Sequence, residues 1–171
     1  TMCIPDFKLT AATGTLGSQN IYLLPVYIPI ATTLTGIKFY QATQGNYTAN
    51  NYNGVGLYTQ SGGSLTLVAS STNDGNIWKG TSATWQSKAF SSTYSASVGA
   101  YYIGFMYSSS AQIQAPQLGI GTGVTSGALL QLDMTNSNSL SRTFSGQTSL
   151  TTPITLSGTT ANTVSFGAFV Y

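Results

Sequence analysis

The chain of 171 residues contains neither histidine nor glutamate, and its side-chain carboxylates are the three aspartates Asp6, Asp74 and Asp133. Charged residues make up 5% of the sequence, whereas an ordinary globular domain has about 25%. The lack of histidine excludes Ser–His and Cys–His arrangements. A paired-carboxylate arrangement is not expected either, because the three aspartates lie in unrelated segments. The sequence therefore predicts a protein that is not an enzyme and has no cofactor and no metal site. A hydrolase would need two of these acids brought together by folding or by assembly.

The scarcity of charge also excludes classes of partner. The net charge is +2, and the five cations are isolated along the chain at Lys8, Lys38, Lys79, Lys88 and Arg142. Nucleic-acid binding needs a basic stripe, so we expect no nucleic-acid partner. The apolar run at residues 21–31 is shorter than the roughly 20 residues of a membrane span and contains two prolines, so we expect no membrane insertion. The single Cys3 permits no intrachain disulfide, and is either an unpaired terminal thiol or an interchain partner.

Hydrophobic residues are nevertheless abundant, at 42%, and aromatic residues reach 12%, which excludes a disordered chain. Apolar residues alternate with period two between clusters of Gly, Asn and Ser, and no helical stripe is present. We therefore predict an all-β protein, an antiparallel β-sandwich of jelly-roll-like form. Residues 1–20 are expected to be a linker or edge segment, and residues 21–171 a single β-sandwich domain.

The clearest local pattern is a hairpin over residues 55–70, which turns at Ser61-Gly62-Gly63. Residues 98–107 are apolar on both faces and are predicted to be a central strand covered on each side. Residues 21–30 are predicted to form an edge strand, because their prolines remove ladder donors. Further strands are predicted at residues 36–41, 85–90, 128–134, 153–156 and 163–171.

If each connection reverses the chain direction, the loops at residues 42–54, 71–84 and 108–117 emerge at one end of the sandwich. The segment 45–54 interleaves Tyr with Asn. Aromatic faces and amides suit neutral sugars, which have an apolar C–H face and a hydroxyl edge. The residues expected to contact such a ligand are Tyr47, Asn50, Asn51, Tyr52, Asn76 and Trp78.

Each candidate also has a purely structural interpretation. The Asn residues are typical of turns, and the Tyr residues can pack the loops onto the sheet. Trp78 and Trp85 can be core residues. Asp74, within Thr72–Asn76, resembles part of a calcium loop but offers one carboxylate where such a loop has several, so a turn is favoured.

Residues 53–110, and above all the pattern GLY…GG.LTLVASS within them, resemble β-sandwich modules of tailed-bacteriophage virion proteins of the fibre, tail-tip or capsid-decoration type. The resemblance covers residues 21–120 and contains no catalytic signature. It implies a virion structural role at the particle surface, assembly into a homo-oligomer with a trimer favoured, contact with other virion proteins, and receptor or surface-glycan contact through exposed loops.

The sequence thus predicts a non-catalytic structural and receptor-binding module of a bacteriophage virion, contacting a host-surface glycan through the three long loops. Two alternatives remain open. The chain can be a purely architectural capsid-decoration or fibre domain without a ligand, or a carbohydrate-binding module of a secreted protein. Assembly is favoured on physical grounds as well, because the sequence has few charges with which to protect exposed sheet edges.

Overall fold

A computed structural model describes residues 9–121, 140–162 and 164–171. The predicted strand at residues 128–134, together with Cys3, Asp6 and Asp133, lies outside these ranges. The described chain is an antiparallel β-sandwich, which confirms the predicted fold class. In chain order the strands are β1 (Leu9–Thr15), β2 (Asn20–Ile28), β3 (Thr32–Thr43), β4 (Asn46–Ala49), β5 (Gly54–Ser61), β6 (Ser64–Ser70), β7 (Thr84–Ala96), β8 (Gly99–Tyr107), β9 (Ser109–Gln114), β10 (Gln117–Gly121), β11 (Ser141–Ser145), β12 (Ile154–Thr155), β13 (Thr160–Asn162), β14 (Ser165–Phe166) and β15 (Ala168–Val170).

The strands form two main sheets and a small ribbon. The front sheet has the order β1-β10-β3-β15, with β7 paired to β3 and β14 paired to β10. The back sheet has the order β12-β6-β5-β8-β2-β11-β13, and β4 pairs with β9 alone. Single 3-10 turns occur at Ile77–Lys79 and Leu156–Gly158. Residues 9–15, within the segment expected to be a linker or edge segment, form β1 at one edge of the front sheet.

The main core fills the space between the front and back sheets. It includes Ile37 and Phe39 from β3, Ile103 and Phe105 from β8, and the indole of Trp78. Alternation along β3 sends every second side chain into this core, because successive residues of a strand point to opposite faces. This alternation was predicted for residues 36–41, and the burial of Ile37 and Phe39 confirms it.

The outer face of the back sheet carries a second, smaller core. Tyr102 and Met106 of β8 belong to it, and Leu150 and Leu156 from the segment that follows β11 pack against them. Successive residues of β8 therefore enter opposite cores, which explains why residues 98–107 are apolar on both faces. The prediction of a central strand is confirmed, since β8 lies between β5 and β2.

The hairpin predicted at residues 55–70 is present as β5 and β6. Ser61 pairs with Ser64, and the two intervening residues, Gly62 and Gly63, have φ angles of 57° and 83°. Two consecutive positive φ angles match a type I′ turn, whose twist fits that of the flanking strands. Glycine adopts this conformation without the steric cost that a Cβ atom brings.

The prediction that residues 21–30 form an edge strand is wrong. Strand β2 lies inside the back sheet, paired with β8 over Asn20–Ile28 and with β11 over residues 20–23. Pro25 lies beyond the residues that pair with β11, so its missing N–H costs no hydrogen bond to that strand. Pro25 is therefore accommodated inside the back sheet, opposite Tyr102 of β8, and does not place β2 at an edge.

Several other strands differ from prediction in length: β3 extends over Thr32–Thr43 instead of 36–41, and β12 is limited to Ile154–Thr155 instead of 153–156. Strand β7 extends over Thr84–Ala96 instead of 85–90, and its pairing with β3 shifts register between Leu34 and Gly36. The strand predicted at 163–171 is divided into β14 and β15 at Gly167, whose N–H donates to the Gly119 carbonyl at 2.8 Å. The irregularity lies within β7 in the first of these two cases and between β14 and β15 in the second, and such irregularities leave no period-two signal in the sequence.

Burial affects the ionisation of several tyrosines. It raises the pKa of Tyr58 and of Tyr107 above the usual value near 10. The phenol of Tyr58 is buried in the second core, where the ionised form would lose its hydration. At the acid end, a hydrogen bond from Lys88 holds the pKa of Asp74 below its ordinary value.

We expect stability to be nearly constant between about pH 5.5 and 8.5 and to fall above about pH 10. Below that value the tyrosines are protonated in both states. Above it the unfolded state ionises first, so stability is lost as the pH rises towards the raised pKa values of the folded protein. Asp74 acts at the opposite limit: its contribution is present above its unfolded pKa of about 4 and is lost as the pH falls through the lower folded value. Melting temperatures from circular dichroism measure both limits.

Tyr58→Phe should reduce the alkaline loss, whereas Tyr27→Phe, at an exposed position of β2, should leave it unchanged. A melting temperature that changes by more than about 5 °C between pH 5.5 and 8.5, or that stays constant up to pH 11, would contradict this account.

Candidate functional site

The three segments predicted to meet at one end of the sandwich do so, and we call residues 42–54, 71–84 and 108–117 the loop end. The N–H of Gly45 donates to the Trp78 carbonyl at 2.8 Å, and the side-chain amide of Gln44 donates to the Lys79 carbonyl at 2.8 Å. Asn50 donates its N–H to the Ser108 carbonyl at 3.1 Å. Backbone and amide hydrogen bonds therefore join all three segments.

Asn53 is the buried side chain that fixes this convergence. Its Oδ1 accepts a hydrogen bond from the Ser108 N–H at 2.9 Å, and its Nδ2 donates to the Ser108 carbonyl at 2.9 Å. The Asn53 N–H donates to Asn73 Oδ1 at 2.8 Å, and its carbonyl accepts from the Asp74 N–H at 2.9 Å. The side chain of Asn53 thus satisfies the backbone of the 108–117 segment, while the backbone of Asn53 binds the 71–84 segment.

Two of the three segments contain strands that the sequence did not predict. Strands β4 and β9 pair with each other as an antiparallel ribbon in which Tyr47 lies opposite Gln112. The ribbon begins directly after β8, because Ser109 opens β9 two residues beyond Tyr107. The loop end is therefore an ordered extension of the sandwich, with the 71–84 segment packed beside it.

Trp78 was expected to offer a ring face to a ligand, and the structure corrects this expectation. Its side chain is 0% exposed, and its Nε1–H donates to the Met106 carbonyl at 3.0 Å. The indole packs on Phe39 and Phe105, at centroid distances of 5.0 Å and 6.2 Å. The alternative interpretation as a core residue is confirmed, and the role of Trp78 is to anchor the 71–84 segment on the core.

Tyr47 is also mostly withdrawn from solvent. It is 6% exposed, meets the ring of Tyr107 edge-on at 4.9 Å, and is covered by Lys79, whose Nζ lies 4.8 Å from the Tyr47 ring centroid. Burial raises the pKa of the Tyr47 phenol, and the backbone of Trp78 opposes part of that rise. Tyr47 packs the ribbon onto the core and offers little ring area to a ligand.

The remaining candidates are more accessible. Tyr52 is half-buried and donates its hydroxyl to the Ser71 carbonyl at 2.6 Å. Asn50, Asn51 and Asn76 are exposed. Asn51 has a positive φ of 49°, and its carbonyl accepts from Asn73 Nδ2 at 3.1 Å, so the Asn50–Asn51 turn is held next to the 71–84 segment. The loop end thus presents amides to solvent and keeps the rings of Tyr47 and Trp78 inside.

The contacts of Asp74 are those of a turn residue. Its Oδ1 accepts from the Asn76 N–H at 2.9 Å, its carbonyl accepts from the Ile77 N–H at 3.1 Å, and its Oδ2 is paired with Lys88 at 2.6 Å. Within the described ranges no group of three or more His, Cys, Asp or Glu side chains is positioned to hold a metal ion. Asp74 therefore organises its own segment.

The structure also reveals an exposed aromatic surface on the outer side of the front sheet, which we call the aromatic face. Its members are Lys38, Tyr40, Trp85, Phe169 and Tyr171. Lys38 and Tyr40 alternate along β3 with the buried Ile37 and Phe39, and that alternation was the available signal in the sequence. Trp85 and Phe169 are placed beside them by long-range strand pairing, which local sequence does not disclose.

Comparisons of the chain with protein-family models, with curated proteins and with solved structures found no match. No helix among the described residues is long and apolar enough to cross a membrane. The function is therefore inferred from the geometry of the loop end and from the residues that carry the sequence resemblance.

We expect Asn53→Ala to lower the free energy of unfolding by about 1–3 kcal/mol, because the buried Ser108 N–H loses its acceptor. Asn46→Ala, an exposed amide of the same loop end, should change it by no more than about 0.5 kcal/mol. Urea denaturation followed by tryptophan fluorescence measures both. Equal stability of the two variants would show that Asn53 does not hold the segments together.

Proposed function

We propose that the protein is a non-catalytic binding module that recognises a neutral glycan through the exposed amides of the loop end. The observation that carries this proposal is the presentation of Asn50, Asn51 and Asn76 to solvent on a framework fixed by buried hydrogen bonds. A side-chain amide both donates and accepts, which matches the paired donor and acceptor character of sugar hydroxyls.

The framework behind these amides supports binding with little loss of conformational entropy. Asn53 and Trp78 attach the first two segments of the loop end to the backbone that runs from Met106 to Ser108. The exposed amides therefore start from a restricted geometry, and preorganisation of this kind favours affinity for a weakly interacting ligand. Tyr52, which is half-buried, follows Asn51 directly in the chain and supplies aromatic surface in the same segment.

The virion setting is proposed on the resemblance of residues 53–110 to tailed-bacteriophage sandwich modules. In that setting the ligand is a host-surface glycan, the partners are other virion proteins and further copies of this chain, and the location is the particle surface. The charge inventory supports a binding role over catalysis. Asp74 is the one aspartate among the described residues, and it is occupied by Lys88 and by the Asn76 N–H.

Assembly into a homo-oligomer, with a trimer favoured, is supported by the edge of the front sheet. Among the described strands, β7 pairs on one side with β3 and has no strand on the other. Its 13 residues contain a single charge, Lys88, and no proline. Long uncharged edges template further strand pairing, and an oligomer interface covers them.

We expect the double variant Asn50→Ala/Asn76→Ala to bind at least about tenfold more weakly to a neutral oligosaccharide identified on a bacterial glycan array, because two hydrogen bonds contribute roughly 1–3 kcal/mol. Isothermal titration with that oligosaccharide measures the change. Gln60→Ala, at the opposite end of the sandwich, is the control and should bind as the parent does. Parent-like affinity of the double variant would exclude the loop end as the site, and particle binding with no glycan signal would favour the architectural alternative.

We expect the parent protein to have a mass in light scattering that is a multiple of the 17.9 kDa chain, with a threefold multiple favoured. Thr93→Lys/Ser95→Lys places two charges on exposed positions of β7 and should shift the protein towards the monomer. Ser61→Lys/Ser157→Lys adds the same charge at exposed positions away from that strand and should leave the mass unchanged. A monomeric parent, or an edge variant that keeps the parent mass, would count against assembly through β7.

A further inference from the structure

The aromatic face is a second exposed surface, separate from the amides of the loop end. Trp85 is 48% exposed, although tryptophan is usually buried, and Tyr171 is 37% exposed. Trp85 meets the ring of Tyr40 at 5.6 Å and that of Phe169 at 5.3 Å. The three rings come from β7, β3 and β15, so a contiguous aromatic surface crosses three paired strands.

The face is built at defined positions of the sheet. Trp85 lies directly opposite Tyr40 in the β3–β7 pairing, and Phe169 lies opposite Lys38 in the β3–β15 pairing. At Gly36, two residues before Lys38, a Cβ atom would clash with the Lys88 carbonyl of β7 and would lie 2.8 Å from the Tyr171 hydroxyl, so glycine permits the close approach of both. Strand pairing fixes these rings, and the planes of Tyr40 and Phe169 are inclined to that of Trp85 by 75° and 59°. An exposed indole held on a rigid sheet suits stacking on a sugar ring.

Lys38 gives this surface a specific charge. Its Nζ lies 5.4 Å from the Tyr171 ring centroid and 6.0 Å from that of Phe169. Cations at such distances are attracted by the ring faces, so the ammonium group is held over the aromatic face. Asp74, the one aspartate in the described part of the chain, is paired with Lys88, and Lys38 has no carboxylate partner there.

We propose that the aromatic face binds an acidic saccharide, with a sugar ring stacked on Trp85 and the sugar carboxylate paired with Lys38, which lies over the neighbouring Phe169 ring. Stacking alone would accept neutral and acidic sugars alike. The ammonium group selects for the acid, since a charge-assisted hydrogen bond contributes about 1.5–3 kcal/mol. A uronic acid and a sialic acid share this chemistry. The inference is independent of the neutral-glycan site at the loop end.

A second copy of the chain is a poorer occupant of the same face. In a twofold contact each copy would place its own Lys38 in the shared interface, and the face contains no aspartate or glutamate to compensate the two cations. Burying like charges without a partner is unfavourable. The charge of the face therefore favours an anionic ligand over self-association.

Two tryptophans of opposite exposure make the site directly observable. Trp78 is buried, so iodide quenching of the fluorescence reports mainly on Trp85. We expect a galacturonate oligosaccharide or an oligosialic acid to protect the fluorescence from iodide, and the methyl-esterified galacturonate oligosaccharide to protect it more weakly. The intact 171-residue chain is used throughout.

Lys38→Gln should weaken binding of the acidic probe about tenfold, to the level of the ester, and leave ester binding unchanged. Lys79→Gln removes a cation that also lies over a tyrosine ring, but at the loop end, and should leave acidic-probe binding unchanged. Trp85→Ala should abolish binding of acid and ester alike, measured by isothermal titration. Melting temperatures of the three variants within a few degrees of the parent value verify folding.

Three results would overturn the proposal. The first is failure of the parent to bind either acidic probe. The second is acid binding by Lys38→Gln with parent affinity. The third is protection of Trp85 that depends on protein concentration and not on the saccharide, which would make the aromatic face an interface between copies. None of these results bears on neutral-glycan binding by Asn50 and Asn76, so the two sites are judged separately.

Discussion

Burial of both faces of strand β8 is the constraint from which the rest of the molecule follows. Tyr101, Ile103 and Phe105 enter the main core, while Tyr102 and Met106 enter the second core on the other side of the back sheet. A strand covered on two sides has a fixed register, because a slip of one residue would exchange its two sets of side chains. The Met106 carbonyl accepts a hydrogen bond from the Trp78 indole, and the Ser108 N–H donates to the side-chain oxygen of Asn53. The loop end is positioned by its attachment to the end of this strand.

Neutral polar groups perform most of the positioning that ion pairs perform elsewhere. Asn53, Gln41 and Ser71 are buried and bonded to backbone atoms of other segments. A buried amide costs less desolvation than a buried charge and still satisfies two backbone groups. Among the described cations, Lys88 pairs with Asp74, and buried Arg142 donates to the Leu156 carbonyl at 3.0 Å. These charges have structural partners, which leaves Lys38 and Lys79, each lying over aromatic rings, at the surface.

Sequence patterns predicted the features that depend on local periodicity. The Gly62-Gly63 hairpin, the central strand at residues 98–107 and the shared end of three segments all follow from alternation and strand direction. The Nε1–H of buried Trp78 donates to the Met106 carbonyl, which is 28 residues away in the sequence. The pairing of β4 with β9 also joins residues that are far apart in the sequence, such as Tyr47 and Gln112. No local pattern contains such contacts. The amides at Asn50, Asn51 and Asn76 were placed correctly on the surface, whereas the rings of Tyr47 and Trp78 assigned to the same site are buried.

Strand β3 connects the two surfaces on which the proposals rest. Its inward residues Ile37 and Phe39 pack in the main core, and its outward residues Lys38 and Tyr40 belong to the aromatic face. Strand β3 ends at Thr43, within the first segment of the loop end. The strand therefore leads from the aromatic face to the loop end, and the two surfaces differ in chemistry, since one offers neutral amides and the other offers aromatic rings with a cation.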